Sequence, residues 1–411
     1  MPTTRRPLIS FLRKPRTGLT KVQELLSLCR ALLSERGEVS GARLAKEVID
    51  AYQLLDPSSV EVFLDRLATS FLPEVTPVRQ AAELYQRDPS PEHLLQLQEA
   101  VESPRQELFR RWNIASGGTD VLIGMRKTLL TTLGDHPERQ GIDNDLMHLF
   151  RSWFNRGFLV LQRIDWRTPA VILERLIEYE AVHQIQGWDD LRRRLQADRR
   201  CYAFFHPALP DEPLIFIEVA LTQGMSEKVQ PLIDPRAPVS DPATADSAIF
   251  YSITNCQKGL RGVSFGNVLI KQVVDDLGRE FPRLRTFATL SPIPGFRTWL
   301  ATVSPKWETF DVATASAKAQ QELCALCAQY LLTAKRTKEP LDPVARFHLA
   351  NGASLERVNW MADPSPAGIQ RSFGLMANYS YRPQDVDRNH EAYAGEYRVV
   401  ASRTIRQMAE R

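Results

Sequence analysis

Val22, Leu25, Leu26, Cys29, Leu32 and Leu33 recur at spacings of three and four, so they share one stripe of a helix. Leu44, Val48 and Tyr52 repeat that spacing. In "DPSSVEVFLDRLATSFL", Ser58 or Ser59 can cap a helix with Val60, Phe63, Leu64 and Leu67 on one face. "DNDLMHLFRSWF" places Leu146, Leu149, Phe150, Trp153 and Phe154 in the same way. No convincing strand and no repeat of fixed period interrupts this pattern. Residues 1–158 are therefore expected to form an all-helical bundle domain.

The period changes after "RIDWRTPA". Two more helical stretches, "VILERLIEYEAV" and "GWDDLRRRLQ", lead into short apolar runs: "CYAFFH", "LIFIEVAL", "AIFYSIT" and "TFATL". Their length and their aromatic and β-branched content predict strands. Helices are expected at 265–280 and 315–333, and loops such as "IDPRAPVSDPATADS" separate the elements. The second domain, 159–411, should then be a mixed β-sheet flanked by helices. The fold class is multidomain, α followed by α+β.

Composition excludes several partners. The 411 residues carry 52 Lys and Arg against 49 Asp and Glu, and a net charge of +3 gives no argument for nucleic acid. Arg5, Arg6, Arg13, Lys14, Arg16 and Lys21 all precede the first acid, Glu24. A solvated basic arm is the first reading and an organellar targeting peptide the second. No apolar run approaches the ~18 residues of a membrane span. Five cysteines do not make a disulfide framework in a chain of this length, which points to a reducing compartment, the cytoplasm. Cys324 and Cys327 form a CxxC, but their apolar flanks have helical spacing and no second pair follows, so they read as core. His93, His136, His148, His183, His206 and His390 show no metal-ligand spacing. No metal is expected.

The stretch "QKGLRGVSFGN" lies between the run "AIFYSIT" and the helical pattern "VLIKQVVDDLGREF". Strand, glycine loop and helix in that order can hold a phosphate on helix-terminal N–H groups, with Lys258 and Arg261 adding charge. The loop is neither a Walker A motif nor a clean GxGxxG, and a turn without function would look much the same.

The strings "GLRGVSFGN", "FATLSPIPGF", "FHLANGA" and "GLMANYSY" resemble the malonyl-CoA decarboxylase family, as do "SWFNRGFLVLQRI" and "EAVHQIQGWDDLRRRL". The likeness covers roughly residues 110 to 385. It implies a helical domain and a catalytic domain with a fold like that of the GNAT acetyltransferases, where acyl-CoA lies in the splay between two neighbouring strands. It implies that Arg261, Gly262, Val263, Ser264, Phe265, Gly266 and Asn267 bind malonyl-CoA. It also implies that Ser291 and His348 form the catalytic pair, both touching substrate, and that Tyr381 is a further active-site residue. Eukaryotic members have a glutamate where this chain has Ser264, so a carboxylate contact there is not expected. The resemblance further suggests a homo-tetramer.

Loss of CO2 from malonyl-CoA leaves an enolate on the thioester, which must be stabilised and then protonated at C2 to give acetyl-CoA. The thioester itself is the electron sink, so no cofactor is expected. By residue type alone, Ser291 before Pro292 is a turn residue or a hydroxyl donor, and His348 a core residue or a proton donor near neutrality. Three other readings are an acyl-CoA-dependent N-acyltransferase, a non-catalytic acyl-CoA-binding regulator and, more weakly, a Ser–His hydrolase. The last lacks a G-x-S-x-G elbow.

Overall fold

The computed structural model describes residues 18–263 and 269–410, apart from the side chains of 35–39. The basic arm up to residue 17 lies outside the described residues. So do Ser264, Phe265, Gly266 and Asn267 of the glycine loop. The chain divides into two compact units. One holds the residues up to Phe154 together with Lys258–Val263, and the other holds 155–257 with the rest of the chain from 264 onward.

The first unit is helical: α1 (Gly18–Leu33), α2 (Glu35–Gln53), α3 (Pro57–Ser70), α4 (Val75–Arg87), α5 (Pro91–Val101), α6 (Pro104–Trp112), α7 (Gly118–Thr132) and α8 (Gln140–Trp153). The stripes read from the sequence face inward. Leu25, Cys29, Leu32, Val48, Phe63, Leu67, Leu146 and Phe150 are buried. The cap of α3 differs from expectation. Asp56, not a serine, accepts the Ser59 N–H at 2.9 Å, and Pro57 occupies the first turn, where it costs no hydrogen bond. Buried arginines staple the bundle. Arg105 joins Asp145 (2.9 Å) to the carbonyl of Ala68 (2.9 Å).

The segment Lys258–Val263 belongs to this helical unit, although the sequence places it after a strand of the second domain. The reason is local packing against α7. A Cβ on Gly259 would stand 2.1 Å from the Ile123 carbonyl oxygen, so only glycine fits.

The second unit is a mixed sheet with helices. Its strands are β1 (Val160–Ile164), β2 (Arg199–Phe205), β3 (Ile215–Thr222), β4 (Ser247–Asn255), β5 (Thr286–Thr289), β6 (Ser291–Pro292), the small pair β7 (Lys335–Arg336) and β8 (Glu339–Pro340), β9 (Ser354–Asn359) and β10 (Met376–Ser380). The main sheet runs β1-β2-β3-β4-β5-β10-β6, with β9 also paired to β10. Among the described strands only the β4–β5 pair is parallel, because the helix Leu269–Glu280 carries the chain across between them. That helix buries Leu269, Ile270, Val273, Val274 and Leu277. The four strands read from apolar runs are β2 to β5. β9 and β10 were not legible, because "SLERVN" and "MANYS" mix polar with apolar residues.

Candidate active site

β4 and β5 stay in register only from Ser247↔Thr286 to Phe250↔Thr289, and a last bond joins Leu290 N–H to the Phe250 carbonyl at 2.9 Å. Beyond it the strands part. Residues 252–255 of β4 remain paired to β3, while Ser291 crosses to pair with Ala377 of β10. A cavity of about 360 Å³ opens at this fork. Ile253, Asn255, Ser291, Phe347 and His348 line it, with Val182 and Val344. None of its described lining side chains is a lysine, arginine or carboxylate.

His348 comes from the helix Pro343–Ala350. Asp342 starts that helix, accepting N–H bonds from Val344 (3.0 Å) and Ala345 (2.9 Å), and Pro343 follows in the first turn. The other Asp342 oxygen accepts from Gly295 N–H at 3.4 Å, at the end of the Pro292–Gly295 turn that follows Ser291. One buried carboxyl therefore ties the serine turn to the histidine helix.

The expected pair, Ser291 and His348, comes together with Tyr381. Ser291 Oγ is 2.9 Å from His348 Nε2, and His348 Nδ1 is 2.8 Å from Tyr381 Oη. The ring of Tyr379 stacks on the imidazole at 4.7 Å between centroids. Ser291, His348 and Tyr381 are all buried. Burial pushes the His348 pKa down to about 3 and the Tyr381 hydroxyl well above its ordinary value. A histidine titrating near neutrality is therefore not what the fold provides. The imidazole is neutral and the phenol keeps its proton.

The sequence reading missed Thr289, Tyr379 and Asp342. Ser291 Oγ donates to Thr289 Oγ1 at 2.8 Å, and the Tyr379 N–H also donates to Thr289 Oγ1, at 3.2 Å. A signal did exist: residues two apart on a strand face the same side, so 289 accompanies 291 and 379 accompanies 381. "DP" before the helix of His348 is likewise a cap followed by a first-turn proline.

Of the glycine loop, the described part is Lys258–Val263. Gly262 has φ +84°, the left-handed region that favours glycine. The N–H groups of Arg261 and Val263 are used inside the turn, on Lys258 O (3.2 Å) and Leu260 O (2.9 Å). Buried Arg126, paired with Asp143 at 2.7 Å, donates to the carbonyls of Gly259 (2.6 Å) and Arg261 (2.9 Å). The Arg261 side chain is exposed.

Residues 157–313 and 301–411 match the family described as malonyl-CoA decarboxylase C-terminal domain, and residues 71–154 match its N-terminal domain. A mitochondrial malonyl-CoA decarboxylase of Anser anser anser is 37% identical over 359 residues, covering 76% of this chain and 71% of that protein. The mitochondrial enzyme of Mus musculus is 36% identical, covering 72% of this chain and 69% of its own. The crystal structure of malonyl-CoA decarboxylase from Rhodopseudomonas palustris superposes with a TM-score of 0.89 at 46% identity, over 96% of this chain and 100% of that one.

Proposed function

The chain belongs to the malonyl-CoA decarboxylase family, a carboxy-lyase family, and on that premise we propose that Ser291, His348 and Tyr381 carry the decarboxylation of malonyl-CoA to acetyl-CoA and CO2. The observation that supports the residue roles best is the hydrogen-bonded row Tyr381–His348–Ser291 at the mouth of the fork between β4 and β5. The thioester of the substrate would lie in that fork, with its malonyl end in the cavity.

The cavity suits the first step. Among the described lining residues a carboxylate leaving water meets no cation, only neutral groups such as Asn255 and Ser291. Its charge is better stabilised once it has moved, as the C–C bond breaks, onto the thioester oxygen. The second step needs a proton at C2. Ser291 Oγ–H would deliver it, Nε2–H of His348 would replace the serine proton, and the Tyr381 phenol would replace the proton on the imidazole. Solvent finally restores the phenol. When these hydrogens move together, neither an imidazolium nor an imidazolate need form, which fits a histidine whose pKa burial has lowered. The reaction requires no metal or organic cofactor, since the thioester accepts the electron pair.

Arg261, Gly262, Val263, Ser264, Phe265, Gly266 and Asn267 are proposed to contact the CoA portion. An exposed Arg261 and loop carbonyls already taken by Arg126 favour an anion there. Self-association through the helical unit is proposed, with the tetramer being what the resemblance suggests. α4 and α5 pack on each other, and Val75, Leu84, Leu95 and Val101 remain exposed. A cytoplasmic location is the reading for the whole chain. All five cysteines are free, and none of its described helices is long and apolar enough to cross a membrane.

Incubation of the purified protein with malonyl-CoA alone tests the activity. Acetyl-CoA and CO2 in equal amounts support it. Free CoA would indicate a hydrolase. Turnover only with an added amine would indicate an acyltransferase, and binding without turnover a regulator.

A further inference from the structure

Thr289 was given no role of its own by the expectations above, yet it is fully buried beside the reacting serine. It is held from two sides. Its carbonyl accepts from Asn378 Nδ2 at 2.6 Å, and its hydroxyl oxygen accepts from the Tyr379 N–H at 3.2 Å. Ser291 Oγ lies 2.8 Å from that same oxygen, in a geometry that makes serine the donor.

The consequence is a matter of counting protons. A serine hydroxyl has one hydrogen. If it points to Thr289, it cannot also point to His348, so the hydrogen between Ser291 and His348 must belong to Nε2. A neutral imidazole has a single N–H, so Nδ1 is then bare and must accept, and the Tyr381 phenol is the donor 2.8 Å away. The whole row thus has one direction: Tyr381 to His348 to Ser291 to Thr289. Without an acceptor at 289, the serine hydrogen would turn to Nε2. The imidazole would then carry its hydrogen on Nδ1, and the row would run backwards.

We propose that Thr289 is a positioning residue that fixes the Nε2–H tautomer of His348, and thereby makes the row supply protons toward substrate rather than withdraw them. The proposal rests on the decarboxylase reading for its functional meaning. The tautomer itself is a property of the ligand-free protein. When substrate arrives, the serine hydrogen leaves Thr289 for the carbanion, and the rest of the row follows by one bond each.

The test is Thr289→Val, nearly isosteric but without the acceptor. ¹H–¹⁵N correlation of the histidine side chains in the ligand-free chain reads the tautomer, and His348→Asn identifies the signal by its loss. The parent should show hydrogen on Nε2, and Thr289→Val should show it on Nδ1. The kcat of Thr289→Val should fall at least about tenfold with KM within twofold, a part of the 10²–10⁴ that the proton transfer itself is worth. Thr289→Ser, which keeps the acceptor, should restore both the tautomer and most of kcat. If Thr289→Val is too unstable to study, Thr289→Ala removes the same oxygen and carries the same expectation. An unchanged Nε2–H tautomer in the variant lacking the hydroxyl overturns the proposal. So does a Thr289→Ser protein as slow as Thr289→Val, which would mark a packing role. Neither result touches the decarboxylase reading, which fails only if the parent releases no CO2 from malonyl-CoA.

Discussion

His348 Nε2 stands 2.9 Å from Ser291 Oγ, although 57 residues of sequence separate them. Two positions that far apart are brought within one hydrogen bond by a helix start and a strand crossing. Ser291→Ala should lower kcat by about 10²–10⁴ while CoA binding is retained. Combining it with His348→Ala should cost little more than the poorer single variant, because groups in one relay do not add. Steady-state kinetics of the four proteins measures this. Full additivity would mean that the two residues act independently.

The acid dependence of stability follows from His348. Its folded pKa, about 3, is below the ordinary 6.5 because burial disfavours the cation. Between those values the unfolded chain binds the extra proton and the folded one does not. Stability is therefore fully present above about 6.5 and is lost as pH falls toward the folded value. Urea titrations of His348→Gln should show a shallower loss between pH 6.5 and 4 than the parent. His183 is shifted the same way but is common to both proteins and cancels. Parallel curves would place His348 in a far more solvated setting.

Asp342 should matter to both stability and rate. Asp342→Ala removes the cap of the His348 helix, an effect of about 0.5–2 kcal/mol in urea unfolding. It also releases Gly295 and the serine turn. A loss of kcat larger than the loss of CoA affinity is expected. Asn can also cap a helix, so Asp342→Asn should be intermediate. A variant that is destabilised but catalytically normal would separate the cap from the site.

Two glycines of the loop should respond differently. Gly259→Ala drives a methyl into the Ile123 carbonyl, so it should destabilise the helical unit before any effect on ligand is seen. Gly262→Ala meets no backbone, but it forces a left-handed residue at a cost of roughly 1–2 kcal/mol. It should fold and bind CoA more weakly by calorimetry. Ser264→Ala should stay within about tenfold of the parent rate, ~1.4 kcal/mol. A larger loss would give that side chain a direct role.

The helices that carry a full apolar stripe, such as the one with Phe63, Leu64 and Leu67, were legible because one period of spacing fixes both the element and its buried face. β2 to β5 were legible because their burial is nearly continuous. β10 was not, since Asn378 is buried for what it bonds and, with Ser380, spoils the apolar signal. Ser291, His348 and Tyr381 were found through family strings, not through spacing. Thr289 lies inside one of those strings but has no motif role in it, and its role comes from standing two residues before Ser291 with its hydroxyl as acceptor. The pKa of His348 was misjudged because composition says nothing of burial. The packing of Gly259 on α7 was hidden for the same reason, since a tertiary neighbour decides it.

The most direct measurement is turnover of malonyl-CoA, without any acyl acceptor, by the parent and by His348→Ala in parallel. The parent should release acetyl-CoA and CO2 in equal amounts. The variant should be slower by about 10²–10⁴ with CoA affinity nearly unchanged, because the imidazole replaces the hydrogen that Ser291 gives to C2. A His348→Ala protein that decarboxylates at close to the parent rate would contradict the relay outright.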